Sequence, residues 1–200
     1  MLVAVLLMTG ACSGGSPQRA VPAPPTADNP MLAAPPTTAA PAPAPAVTRP
    51  PLPTPSYIPS DSYAPEPVVE IGTMEIPAIG LSHVIYQGVT LHNIDRGPSH
   101  WTGTALPGQR GNTVFAAHRV TNTRPFRNID RLKTGDEVIF TVHGARSTYR
   151  VNGNVIVEPT DTWIGAQTEA FTGTLYACHP PGSLAYRYVV KMELVHPNPA

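Results

Sequence analysis

Apolar positions along this chain fall into short runs, and the breaks between them are mostly Gly, Pro and Asn. "VVEIGTMEIPAIGLSHVIYQG" (68–88) gives β-like runs broken by Gly72, Pro77 and Gly80. "TLHNIDRGPSHW" (90–101) fits one short helix near Leu91 to Asp95, ended by Gly97-Pro98. "TVFAAHRV" (113–120) reads as a buried strand ending at His118, and "RPFRNIDRL" (124–132) as a single helical turn. "EVIFTVHG" and "STYRVNGNVIVEP" predict a hairpin with Gly144-Ala145 in its loop. "TGTLYACHP" and "AYRYVVKMELV" complete seven or eight short strands. No segment sustains a helical period, so the predicted class is all-β, a barrel or a sandwich.

Composition divides the chain. From Pro17 to Pro67 lie 17 of the 26 prolines, among Ala, Thr and Ser, with only Arg19, Asp28, Arg49, Asp61 and Glu66 charged. Such a stretch has too little apolar surface to offset the entropy of ordering, and reads as a disordered, partly polyproline II spacer. Ahead of it, "MLVAVLLMTGA" is apolar but too short to span a bilayer as a helix. It suits either a lipoprotein signal, with Cys12 as the lipidated residue, or the tail of a membrane anchor. Both readings put the domain outside the membrane on a stalk. The expected organisation is a signal or anchor remnant (1–16), a linker (17–67), a globular domain (68–196) and a short tail (197–200).

A formal net charge of zero and the lack of a basic run argue against a nucleic-acid partner. The chain has two cysteines, Cys12 and Cys178. Exported domains usually pair their cysteines, and Cys12 has no reason to dock on the domain, so Cys178 is expected as a free, reactive thiol. Zinc sites need paired Cys or His spacings that are not visible here, so no metal is expected.

Cys178 and His118 each follow a buried strand, "TLYA" and "TVFAA", and strand ends hold side chains rigidly. Arg187 interrupts an otherwise apolar strand between Tyr186 and Tyr188, where a charge must be paired or functional. A thiolate nucleophile with a histidine and an arginine beside it is the chemistry these residues suggest.

The combination resembles the sortase family, most closely its class E members from actinobacteria. The resemblance rests on "MEIPAIGL" (74–81), "RGPSHWTGTALPGQRGNTVFAAHR" (96–119), "PFRNIDRLKTGDEV" (125–138), "YRVNGNVIVEPTD" (149–161) and "TLYACHPPGSLAYRYVV" (174–190). It implies an eight-stranded β-barrel with short helices. It also implies a cysteine transpeptidase that cleaves an LAxTG- or LPxTG-type sorting signal between Thr and Gly. Cys178 would be the nucleophile, His118 the general acid then base, and Arg187 the transition-state donor. The implied partners are surface proteins bearing the signal and a cell-wall precursor or pilin amine, without a cofactor. Two departures stand out: Ala117-His118 and Ala177-Cys178, where class E usually has Gly-His and Thr-Cys. Trp101, where Tyr is common, and Ala177 are the candidate substrate-binding residues.

Two rivals remain. An L,D-transpeptidase would carry its histidine just ahead of a His-Gly-Cys element, which is not the order here. An impaired sortase-like module that binds a wall ligand is kept open by Ala117 and Ala177.

Overall fold

The computed structural model describes residues 50–56 and 58–196. The segment 1–49, with Cys12, and the tail 197–200 lie outside the described residues. Eight strands, β1 (Glu70–Ile76), β2 (Leu81–Gln87), β3 (Ser99–His100), β4 (Gly111–Ala116), β5 (Glu137–Val142), β6 (Ala145–Val157), β7 (Phe171–His179) and β8 (Tyr186–His196), close a barrel. Their order around it is β1-β2-β3-β4-β7-β8-β6-β5. The β2–β3 and β4–β7 pairs are parallel and the other pairs antiparallel. Among the described residues, helix is confined to one turn, α1 (Leu91–Ile94), and three short 3₁₀ turns, none long enough to cross a membrane.

Period-two alternation sorts the strand residues into two layers. Phe115, Leu175, Ala177, Tyr188 and Val190 point into the barrel with Phe140 and Tyr149. Their neighbours Val114 and Val189 point outward and pack with Trp101, Val157 and Ile164. Both faces of β4 are therefore covered, and all six of its residues are buried, which is why its sequence reads as a continuous rather than an alternating run. Inside, Phe115 stacks on Phe140 at 5.1 Å and Phe140 meets the Tyr149 ring edge-on at 5.5 Å. Truncating Phe115 to Ala would leave a void costing about 3–5 kcal/mol.

The β5–β6 hairpin corrects one expectation. Its two-residue loop is His143-Gly144, with φ of 49° and 84°, and Ala145 already pairs with Val142. Right-handed strand twist favours a turn with two positive φ values, and Gly144 fits it best in the second place.

The end of the proline-rich stretch lies along the barrel. Ser56 N–H and Oγ both donate to Thr102 O, at 2.8 and 2.7 Å. Trp101 Nε1 donates to Ser56 O at 2.9 Å. Leu91 N–H donates to Ser62 O at 2.7 Å. Glu66 Oε2 accepts from Thr90 N–H, Thr90 Oγ1 and Asn93 Nδ2, which caps α1 from outside. Residues 50–56 and 58–67, counted with the linker by composition, thus form a strap with defined contacts.

Candidate active site

Every paired residue of β4 and β7 differs by sixty in number, from Gly111↔Phe171 to Ala116↔Tyr176. His118 and Cys178 continue that register two steps past the end of β4. Arg119 and His179, one step further, are hydrogen-bonded at 3.2 Å, so the register persists beyond the ladder. On its other side β7 pairs with β8, and Cys178 sits directly opposite Arg187. Facing residues in such a pair lie about 5 Å apart. Three adjacent strand ends thus deliver His118, Cys178 and Arg187 to one outward-facing cleft of about 740 Å³.

Cys178 is half-buried and unpaired. The Arg187 guanidinium donates through Nη1 to the Leu184 and Tyr186 carbonyls, at 3.1 and 3.0 Å. Those two bonds hold it at the β7–β8 turn, and no carboxylate neutralises it among the described residues. The Tyr176 phenol lies near both groups. Burial pushes it up to about 12, with Arg187 pulling down and Cys178 pushing up, so it stays a neutral hydrogen-bond donor beside the thiol.

His118 is held by a residue that its sequence position did not mark. Its Nε2 lies 2.8 Å from Asp95 Oδ1. Asp95 is the C-terminal cap of α1, and α1 is capped in turn by Glu66 of the strap. His118 Nδ1 has no partner among the described residues, so that nitrogen is available to the cleft.

Trp101 is buried and lines the cleft, its ring edge against Gly165; a Cβ there would lie 2.6 Å from Trp101 Cζ3. Ala117 and Ala177 are 5% and 2% exposed. Their side chains belong to the barrel core, and they reach the cleft only at its floor. The strap supplies Ile58, Ser62 and Tyr63 to the wall, none of which the composition of a proline-rich stretch suggests.

Comparison with known proteins agrees with this architecture. Residues 74–195 match the sortase domain family. The chain is 29% identical over 130 residues to Sortase D of Bacillus subtilis, covering 63% of this chain and 64% of that protein. It is 27% identical over 150 residues to Sortase SrtE1 of Streptomyces coelicolor, covering 67% of this chain and 43% of the relative. The chain therefore spans less than two thirds of either relative's length. Among solved structures, a Sortase D5 transpeptidase of Clostridium perfringens superposes with a TM-score of 0.59 at 34% identity, covering 64% of this chain and 79% of that one. The closed eight-stranded barrel is the sortase fold, and the chain belongs to the sortase family.

Proposed function

We propose that the chain cleaves a sorting signal of the LAxTG or LPxTG type between Thr and Gly and transfers the resulting acyl group to an amine. The observation that carries this reading is the convergence of Cys178, His118 and Arg187 on one cleft by strand register alone. The Cys178 thiolate adds to the threonine carbonyl, and the carbonyl electron pair moves to oxygen. Guanidinium N–H groups of Arg187 donate to that oxyanion. Collapse breaks the C–N bond as His118 gives its proton to the departing glycine amine, leaving a thioester on Cys178. An incoming amine gives its proton to His118, attacks the thioester and expels the thiolate. The apolar wall made by Ile58, Val89, Leu91, Trp101 and Ile164 suits the leucine of the signal, which makes Trp101 a substrate contact; Ala177, whose side chain packs in the barrel core, lines the same cleft.

The likeness to Sortase SrtE1 supports a class E assignment and a preference for LAxTG. Sequence supports membrane attachment through the N-terminus, outside the cytoplasm, whether by Cys12 lipidation or by an anchor. A cell-wall precursor or a pilin amine is the proposed acceptor.

The test is turnover of LAxTG and LPxTG peptides by the full chain, with and without an amine acceptor, and with Cys178→Ala as control. Cleavage at Thr–Gly with amine-dependent product, faster for LAxTG, is expected. A folded chain that binds these peptides without cleaving them would favour a binding module instead.

A further inference from the structure

The residues immediately after the three site residues form a second polar cluster at the same strand ends. His118, Cys178 and Arg187 line the cleft; alternation along β7 and β8 turns His179 and Tyr188 to the other face, and Arg119, just past the end of β4, borders the cleft and reaches His179. Arg119 is 2% exposed. Its Nη1 meets His179 Nδ1 at 3.2 Å. Its Nη2 lies 2.8 Å from Asp130 Oδ1 and donates to Arg127 O at 3.5 Å. Its Nε is buried without a hydrogen-bond partner. The His179 ring lies 5.7 Å from the Tyr188 ring, tilted by 41°. Burial raises the Tyr188 phenol, Asp130 raises it further and Arg119 opposes both, so all four side chains share one electrostatic neighbourhood.

Guanidinium groups only donate. His179 Nδ1 is therefore the acceptor in this contact. The bridge joins the residue covalently next to His118 to the residue covalently next to Cys178. A buried, incompletely satisfied arginine is a poor source of net stability, because desolvation offsets most of the attraction, but it can impose one geometry.

We propose that Arg119 is a positioning residue: bonded to His179 and anchored by Asp130, it sets the separation and orientation of His118 relative to Cys178. This inference rests on the roles given to those two residues above. Small misplacements matter at such a site, since about 1 Å can cost as much as a hundredfold in rate.

The experiment measures kcat and KM for a sorting-signal peptide, and the rate of Cys178 alkylation by iodoacetamide, in the full chain. The variants are Arg119→Met, His179→Leu and His179→Gln, each checked for folding by circular dichroism. Arg119→Met and His179→Leu should lower kcat by about tenfold or more with KM within about twofold, and should slow alkylation. Gln keeps an oxygen acceptor for Arg119, so His179→Gln should restore kcat to within about threefold of wild type. Should Arg119→Met not fold, the two His179 variants decide. Folded His179→Leu with wild-type kcat would overturn the bridge, as would equal losses in His179→Leu and His179→Gln. A wild-type chain without turnover would instead remove the site assignment beneath it.

Discussion

His118 Nε2 lies 2.8 Å from Asp95 Oδ1, which ties the candidate acid–base to the end of a one-turn helix 23 residues earlier in the chain. The contact orients the ring and occupies one nitrogen, leaving Nδ1 facing the cleft. Asp95→Asn keeps the shape of the contact but removes the charge. It should lower kcat by about tenfold and leave KM nearly unchanged, in line with the effect of other groups that orient a catalytic side chain. Steady-state kinetics on the sorting-signal peptide checks this.

The strap makes the next prediction. Glu66 Oε2 accepts three hydrogen bonds from Thr90 and Asn93. Glu66→Ala would take the acceptor from the N–H and Oγ1 of buried Thr90, while Asn93 Nδ2 would keep Pro67 O and Gln87 O. Unfolding free energy should drop by about 1–3 kcal/mol, read from urea denaturation. Because α1 carries Asp95, kcat should fall as well. A stability loss without any kinetic effect would confine the strap to a structural role.

His100 gives the fold a pH dependence. It is 1% exposed, and burial lowers its pKa from 6.5 to about 4 against the opposing hydrogen bond to Ala105 O. Between those values the unfolded chain binds a proton that the folded chain excludes, so stability falls as pH falls through that window. The slope is at most about 1.4 kcal/mol per unit, and the contribution is flat outside the window. Thermal melts between pH 4 and 7 should show the slope in the wild type and its reduction in His100→Gln.

Ala177 supports a prediction about packing. Its side chain is 2% exposed inside the barrel core. Threonine, usual beside the nucleophile in class E, would add two heavy atoms to a filled space. Ala177→Thr should therefore destabilise by about 1–3 kcal/mol, measurable by denaturant titration.

The all-β class was legible because β1, β5, β6, β7 and β8 each combine an apolar or alternating run with a clear turn signal. Cys178 and Arg187 stood out in the sequence because one ends a buried strand and the other interrupts one, and hairpin pairing of β7 with β8 follows from proximity in sequence. The parallel β4–β7 pairing that brings in His118 joins strands sixty residues apart; like strand ends singled out both residues, but nothing local in the sequence dictates that pairing. β3, with two residues, is too short to leave a periodic signal. Asp95 and Glu66 escaped notice because their roles exist only through contacts more than twenty residues away. Composition alone could not show that the proline-rich stretch contains a segment with matching partners on the barrel.

The measurement closest to the central claim is intact-protein mass spectrometry of the full chain mixed with a sorting-signal peptide, followed by peptide mapping. Cys178 should carry the acyl portion ending in threonine as a thioester, discharged by added amine, and Cys178→Ala should carry none. A folded wild-type chain that cleaves the peptide with no acyl group on Cys178, or with turnover intact in Cys178→Ala, would contradict the account.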